Sequence, residues 1–225
     1  METYKREFIE FMVRCGALTF GDFTTKSGRK TPYFINTGNY HTGPQMLQLG
    51  RAYALALQHA LGDTFDNLYG PAYKGIPLSV ATAMAMSTEL QRTVTFTFNR
   101  KEAKDHGEGG SLIGYRYQGG ERVVIIEDVV TAGTSVRETL EILKQATPGG
   151  VNLRGVVVSV DRMERGAGTR TALDELRHEF GLSVFAIVTI EEVIQHLLAH
   201  RVDGREIIDC DTLDRIQAYR AQYGA

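Results

Sequence analysis

The sequence predicts an α/β fold in which a parallel central sheet is flanked by helices. Its strand segments are apolar along their whole length, as expected for strands that helices cover on both faces. Segments with helical spacing of apolar residues alternate with these strands along the chain. No repeat, low-complexity segment or linker divides the 225 residues, so we expect one domain spanning residues 1–225.

The first 40 residues differ in character from the rest. Residues 4–16 carry apolar side chains at helical spacing, and Gly16 is a typical C-terminal stop. Residues 18–38 are rich in Thr, Gly and aromatic side chains around a proline, which indicates short strands and turns. We expect residues 1–40 to contribute most of a small hood over the active site.

Helices and strands then follow in turn. The spacing of apolar residues predicts helices at 44–61, 75–89, 134–146, 172–180 and 213–223. Strands are predicted at 67–70, 93–98, 122–127, 153–160 and 183–188, and a charged, Gly-rich loop at 99–112. Ligands of such sheets bind just beyond the carboxyl ends of the strands. The loops in which to search therefore follow Tyr69, Phe98, Ile126 and Val160.

Charge and composition narrow the choice of partners. The 25 Lys and Arg residues nearly balance 27 Asp and Glu, which argues against general capture of nucleic acid or of an anionic membrane. No apolar run approaches the roughly 18 residues that span a bilayer, and the N-terminus lacks a signal peptide. Cys15 and Cys210 form no CxxC pair, so we expect free thiols in a reducing cytoplasm.

An acidic pair, Glu127 and Asp128, follows the apolar strand at 122–126. On its own such a pair is weak evidence, because both carboxylates could be solvated or Asp128 could cap the next turn. The segment that follows, Thr-Ala-Gly-Thr-Ser at the start of a helix, offers backbone N–H groups, hydroxyls and a glycine that permits close approach. Carboxylates accept hydrogen bonds from vicinal hydroxyls while such a loop holds a phosphate. Together these residues predict a ribose 5-phosphate site.

A basic segment lies at residues 100–106, between glycines that supply hinges. One interpretation is a solvated hairpin tip whose charge is balanced by Glu102, Asp105 and Glu108. The other is a loop that closes over a ligand, stabilises the charge of a departing diphosphate and excludes water.

The segment at 122–135 resembles the phosphoribosyl pyrophosphate signature of the type I phosphoribosyltransferases. In that family the two acidic residues bind the ribose hydroxyls and the loop after them binds the 5-phosphate. The resemblance implies the type I phosphoribosyltransferase fold. The residues it assigns to this substrate are Glu127, Asp128, Val129, Val130, Thr131, Ala132, Gly133, Thr134 and Ser135.

The basic segment is similar to the flexible catalytic loop of the orotate phosphoribosyltransferases, which enters the active site of the neighbouring subunit. The resemblance therefore implies a homodimer that shares its 100–106 loops. It assigns the diphosphate to Arg100, Lys101, Lys104 and His106. Lys104 and Asp128 are the catalytic residues that it implies.

The same resemblance runs from about Gly16 to Val188 and assigns further contacts. The further residues that it implies to contact phosphoribosyl pyrophosphate are Lys26, Tyr73 and Lys74. Those that it implies to contact orotate are Phe34, Ile35, Thr131 and Arg162. Taken singly, Lys26 and Lys74 could equally be surface lysines of basic or tight turns. An arginine such as Arg162 can bind a carboxylate with two parallel hydrogen bonds, and orotate carries a carboxylate.

The implied reaction joins N1 of orotate to C1′ of phosphoribosyl pyrophosphate, gives orotidine 5′-monophosphate and pyrophosphate, and belongs to UMP biosynthesis. Mg²⁺ is the expected cofactor, with few direct protein ligands. Two alternatives remain: a phosphoribosyltransferase for a purine or another base, and a regulator that senses phosphoribosyl pyrophosphate. The regulator would usually lose the basic loop and gain a nucleic-acid surface, and this sequence has neither property.

Overall fold

The computed structural model describes residues 1–25, 28–104, 110–130, 133–147, 149–166 and 168–225, with the backbone alone at 102–104, 110 and 146. In chain order the elements are α1 (Thr3–Arg14), β1 (Leu18–Thr24), β2 (Lys30–Ile35), a 3₁₀ turn (Thr37–Asn39), α2 (Gly43–Leu61), β3 (Asn67–Tyr69), α3 (Gly75–Leu90), β4 (Thr95–Lys104), β5 (Gly110–Gly114), β6 (Arg122–Ile126), α4 (Thr134–Ala146), β7 (Asn152–Asp161), α5 (Ala172–Phe180), β8 (Ser183–Thr189), α6 (Ile190–Ala199) and α7 (Cys210–Tyr223).

The predicted parallel sheet is confirmed. Within the described residues it has six strands in the order β5-β4-β3-β6-β7-β8, and all neighbours except β4 and β5 are parallel. The chain winds from β3 towards one edge and from β6 towards the other. The strand order therefore reverses between β3 and β6, and a crevice at the carboxyl ends of these two strands is the usual ligand site of such a sheet.

Helices cover both faces of the sheet, which explains the uniformly apolar strands. On one face Leu68, Val124 and Ile126 join a core built with α1, α2, α3 and α6. On the other face Tyr69, Val123 and Ile125 pack against α4 and α5. Successive strand residues point to opposite faces, so neighbouring residues of β6 enter different cores.

The helix ends follow local sequence signals. Gly16 has a φ of 64° just beyond α1, where a left-handed residue ends a helix at no steric cost. Thr42 and Gln45 form a capping box at the start of α2, and Thr189 and Glu192 form another at the start of α6. The sequence prediction missed α6, although the capping box of Thr189 and Glu192 is a local signal for its start.

The N-terminal residues form α1 and an antiparallel hairpin of β1 and β2, as the short strands predicted at 18–38 require. The ring of Tyr33 in β2 meets the ring of Tyr219 in α7 edge to face, with the ring centroids 5.6 Å apart. The expectation that residues 1–40 form most of a hood over the active site stays a prediction. No helix in the described ranges has the length and apolar character needed to cross a membrane.

The loop predicted at 99–112 is wrong over the part that the structure describes. β4 continues to Lys104, and β5 pairs antiparallel with it, with Phe98 opposite Ile113 and Lys104 opposite Gly110. The sequence prediction failed here because charged residues fill the second half of β4 and interrupt the apolar pattern of a strand. Residues 105–109 lie outside the described ranges.

Candidate active site

Lys74 and Asp128 meet across the crevice between β3 and β6. Lys74 Nζ lies 2.8 Å from Asp128 Oδ2, and the hydroxyl of Thr37 donates to the same oxygen at 2.8 Å. Lys74 also donates to the Thr37 hydroxyl at 3.0 Å. The Lys74 side chain is 62% exposed, whereas that of Asp128 is 11% exposed, so the cation reaches inward from solvent to a sheltered carboxylate. The structure thus brings together two residues that the sequence analysis assigned to one substrate.

The carboxyl group of Glu127 is buried beside that of Asp128. Burial raises the pKa of the Glu127 carboxyl to about 7, against the smaller lowering effect of a hydrogen bond from Ser135 at the start of α4. Glu127 and Asp128 are only 6% and 8% exposed. The interpretation of this pair as solvated carboxylates is therefore wrong. Asp128 does not cap α4 either, because the N-cap of that helix is Gly133, which has no side chain.

Two hydroxyls from other elements hold the backbone of this acidic pair. Tyr53 in α2 donates to the carbonyl oxygen of Glu127 at 2.7 Å. Ser159 in β7 donates to the carbonyl oxygen of Asp128 through its hydroxyl at 2.6 Å and its N–H at 3.0 Å. Both residues are buried, and the main chain just beyond β6 is therefore fixed from two sides.

The loop after β3 is closed very tightly. A Cβ added to Gly70 would lie 2.1 Å from the carbonyl oxygen of Gly75, so neither position accepts a larger residue without a shift of the backbone. The peptide between Ala72 and Tyr73 is cis, and the N–H of Ala72 donates to the side chain of Asn99 at 2.8 Å. The hydrogen bond from Ala72 holds the loop that carries Tyr73 and Lys74 beside Asn99 of β4.

Two basic residues of β4 also reach this loop. Lys101 Nζ lies 4.9 Å from the centroid of the exposed Tyr73 ring. Arg100 and Lys101 line one cleft with Pro71 and Ser135. The Nε of Arg100 is buried and has no partner among the described residues. The side chain of Lys104 and the whole of His106 lie outside the description, so their assignment stays a prediction.

The segment predicted to hold a phosphate is described in part. Val129 and Val130 are half-buried beyond the acidic pair, while Thr131 and Ala132 lie outside the described residues. Gly133 has a φ of 71°, and Thr134 and Ser135 open the first turn of α4. Because that turn has no side-chain cap, its N–H groups can bind an anion.

Arg162 lies in a second cluster that follows β7. Its Nε and Nη2 donate to Glu164 Oε1 at 2.9 and 2.7 Å, and the guanidinium stacks over the ring of Tyr33. Tyr33 donates to Glu164 Oε1 at 3.0 Å, and Arg29 pairs with Oε2 at 3.3 Å. Two arginines thus share one glutamate. The cluster keeps one positive charge in excess, which suits an anionic ligand.

Two other predicted orotate contacts, Phe34 and Ile35, lie in β2, and a third, Thr131, lies outside the described residues. Phe34 is 39% exposed and stacks on Phe23, with ring centroids 5.5 Å apart, while Ile35 is half-buried. Lys26, also assigned to phosphoribosyl pyrophosphate, lies outside the described residues.

The sequence analysis missed several residues that organise the site. Thr37, Tyr53, Ser159 and Glu164 bear no motif of their own. Only Glu164 had a usable signal, since it stands two residues from Arg162. The others are separated from their partners by at least 31 residues, and only the folded chain brings them together.

Comparison with known proteins agrees with this geometry. Residues 36–176 match the phosphoribosyl transferase domain. An orotate phosphoribosyltransferase of Lachnoclostridium phytofermentans is 55% identical over 224 residues, covering 100% of this chain and 99% of the relative. The chain belongs to the orotate phosphoribosyltransferase family. A relative from Clostridium acetobutylicum is 54% identical over the same length and covers the same shares.

A solved structure leads to the same family. The orotate phosphoribosyltransferase of Francisella tularensis superposes with a TM-score of 0.83 at 32% identity, covering 97% of this chain and 100% of that one. The resemblance found in the sequence is thereby confirmed, and so are the fold and the class of enzyme, a pentosyltransferase. A regulator that only senses phosphoribosyl pyrophosphate is no longer a competing interpretation.

Proposed function

We propose that the chain transfers the 5-phosphoribosyl group of phosphoribosyl pyrophosphate to N1 of orotate, in UMP biosynthesis. The products are orotidine 5′-monophosphate and pyrophosphate. The observation that carries the proposal is the contact of Lys74 with Asp128 at the crevice between β3 and β6. It places a cation suited to a diphosphate beside a carboxylate suited to ribose hydroxyls.

The ribose hydroxyls bind the acidic pair. Asp128 exchanges Lys74 for a substrate hydroxyl, and the freed ammonium turns to the diphosphate. The 5-phosphate binds the uncapped first turn of α4 and the residues before it, 129–135. Because the hydroxyls and the 5-phosphate bind different residues, both ends of the sugar are fixed and C1′ lies between them.

The reaction breaks the bond between C1′ and the diphosphate oxygen, which keeps the electron pair. N1 of orotate forms the new bond to C1′ and loses its proton, which the departing diphosphate can accept. Positive charge develops at the anomeric carbon, as in glycoside hydrolysis, and negative charge develops on the diphosphate. Lys74, Arg100 and Lys101 stabilise the departing diphosphate. Lys26, Lys104 and His106 join them by family resemblance, with Lys104 as the main catalytic residue.

Arg162 binds the orotate carboxylate. Glu164 occupies the side of the guanidinium formed by Nε and Nη2, and Nη1 remains for the ligand. The second arginine, Arg29, offsets the charge of Glu164 that would otherwise repel an anion. Phe34 and Ile35 complete the orotate site with Thr131. A phosphoribosyltransferase for a neutral base would have no use for this cationic cluster.

Mg²⁺ is the proposed cofactor, held mainly by the substrate. No group of three or more His, Cys, Asp or Glu side chains suited to a metal occurs in the described ranges. Two adjacent carboxylates, Glu127 and Asp128, fit a Mg²⁺ ion that takes one or two protein ligands beside substrate phosphates. Bound there, it would neutralise diphosphate charge. Chelation should abolish turnover and added Mg²⁺ should restore it; full activity in chelator would refute this part of the proposal.

A homodimer that shares its 100–106 loops is also proposed, on the family resemblance. Lys104→Ala and Asp128→Asn subunits should each be nearly inactive, and mixing them should restore activity if Lys104 acts across the interface. Mixed dimers verified by mass that stay inactive would contradict loop sharing. A cytoplasmic location likewise stays a prediction from the composition.

The decisive assay follows the loss of orotate absorbance with phosphoribosyl pyrophosphate and Mg²⁺. Consumption of orotate but not of adenine, hypoxanthine or uracil is the expected result. Turnover of another base in preference to orotate would favour the alternative, a phosphoribosyltransferase for a purine or another base.

A further inference from the structure

The two carbonyl groups of the acidic pair have unusual partners. β6 ends at Ile126, and the N–H of Glu127 still bonds the carbonyl oxygen of Val157 in β7. The carbonyl of Glu127 then accepts from the phenol of Tyr53, and that of Asp128 accepts from Ser159. No other donor to the Glu127 carbonyl is found within the described part of the chain.

Tyr53 is a donor that keeps its proton. Its side chain is fully buried, and burial raises the pKa of the phenol well above the usual range. The ring fills the core between α2 and the sheet, and the hydroxyl is the polar end that meets the main chain. Phenylalanine would fill the same space in this core, so the hydroxyl is explained by its bond to Glu127.

The direction of each carboxylate depends on the backbone that carries it. Beyond β6 that backbone still bonds β7 through the N–H groups of Glu127 and Ser159, and the hydroxyls of Tyr53 and Ser159 are further donors to its two carbonyl groups. A displacement of the main chain by a fraction of an ångström would turn both carboxylates away from adjacent ribose hydroxyls, and binding geometry has to hold within about half an ångström.

We infer that Tyr53 and Ser159 are positioning residues for the ribose site, acting through the carbonyls of Glu127 and Asp128. Tyr53 is the more important of the two, because the Asp128 carbonyl keeps the N–H of Ser159 as a donor when the hydroxyl is removed. The inference rests on the proposed ribose role of the acidic pair.

The test uses variants that change one hydroxyl at a time. Tyr53→Phe keeps the ring, Ser159→Ala removes a hydroxyl, and Ser159→Thr restores one. Tyr69→Phe is the matched control, since Tyr69 is equally buried and its hydroxyl has no partner among the described residues. Calorimetry gives the Kd of phosphoribosyl pyrophosphate with Mg²⁺, steady-state assays give KM for both substrates, and thermal unfolding reports stability.

Tyr53→Phe should raise the Kd of phosphoribosyl pyrophosphate about fivefold, the usual effect of one lost hydrogen bond. The KM of orotate should change less than about twofold. Ser159→Ala should have a smaller effect than Tyr53→Phe, and both Ser159→Thr and Tyr69→Phe should bind like the parent. Added to Asp128→Asn, Tyr53→Phe should cost less than it does alone, because both changes act on the same acidic pair.

Two outcomes would overturn the inference. One is parent-like binding by Tyr53→Phe while Asp128→Asn binds weakly, which removes the positioning role and leaves the proposed function intact. The other is an equal loss of both substrates in step with a lower Tm, which indicates a purely structural role. If Asp128→Asn itself binds phosphoribosyl pyrophosphate like the parent, the proposed ribose role of the acidic pair fails first.

Discussion

Lys74 Nζ and Asp128 Oδ2 lie 2.8 Å apart across the reversal point of the sheet, and each is assigned to a different part of one substrate. In the free protein they neutralise each other. Substrate binding must therefore exchange this ion pair for two new contacts, one to the diphosphate and one to the ribose.

Lys74→Ala should affect binding far more than stability. The ammonium is largely exposed, and the sheltered Asp128 keeps the hydroxyl of Thr37 as a donor, so loss of the ammonium should lower the free energy of unfolding by only about 1 kcal/mol. The KM of phosphoribosyl pyrophosphate should rise about 10- to 100-fold, as expected for a lost hydrogen bond to a charged group. Lys144→Ala is the control, because Lys144 is an exposed lysine paired with Glu141. Similar KM values in both variants would exclude the diphosphate role.

Arg162→Ala should act on the other substrate. Losing the guanidinium should raise the KM of orotate about 10-fold or more, with a much smaller change for phosphoribosyl pyrophosphate. Arg51→Ala, which removes an exposed arginine paired with Glu7 and Glu89, should leave both constants unchanged. Equal rises for the two substrates in Arg162→Ala would argue against a carboxylate contact.

Glu164→Ala should be strongly destabilising. It would leave Arg162, whose side chain is 20% exposed, without its carboxylate partner, and losing one member of a sheltered pair costs about 3 kcal/mol. Asp22→Ala breaks an exposed pair with Arg215 and should cost less than about 1 kcal/mol. Denaturant unfolding of both variants measures the difference, and comparable losses would mean that the Arg162 cluster is effectively solvated.

Glu127 should make stability depend on pH. Burial raises the pKa of its carboxyl from 4.5 in the unfolded chain to about 7, so the folded protein binds the extra proton between these values. The stabilisation is full below pH 4.5 and is lost as the pH rises through 7, by on the order of 3 kcal/mol. Glu127→Gln should lack this part of the pH dependence.

The comparison needs unfolding free energies at pH 5 and pH 8 for the parent, Glu127→Gln and the exposed control Glu141→Gln. The control should retain the slope of the parent. A parent-like slope in Glu127→Gln would mean that Glu127 is ionised throughout this range.

Gly70→Ala should disrupt the loop after β3. Its Cβ would collide with the carbonyl of Gly75, which forces a backbone shift that costs at least about 2 kcal/mol. The shift would also move Lys74, so the KM of phosphoribosyl pyrophosphate should rise. At Gly43 a Cβ meets nothing within 4 Å, and Gly43→Ala should behave like the parent. A stable, active Gly70→Ala protein would show that the loop yields easily.

Much of the fold was predictable because the signals are local. Helices α4 and α5 begin and end at the predicted residues, because apolar spacing and helix stops suffice to define them. β5 was missed because it is short and begins and ends with glycine, so the sequence of Gly110–Gly114 resembles a loop. The acidic pair and Lys74 were found through motifs, whereas Thr37 and Tyr53 act through contacts that only the tertiary fold creates.

The contacts among Thr37, Lys74 and Asp128 also have a consequence for folding during synthesis of the chain. Thr37 and Asp128 are 91 positions apart, and 54 positions separate Lys74 from Asp128. A chain still emerging from the ribosome holds no sugar site until it has grown past β6, and Ser159 steadies that site only after β7 has followed. The hairpin of β1 and β2 must wait for α7 to be synthesised before Tyr219 can cover Tyr33. A nascent fragment that ends before β7 should therefore not bind phosphoribosyl pyrophosphate.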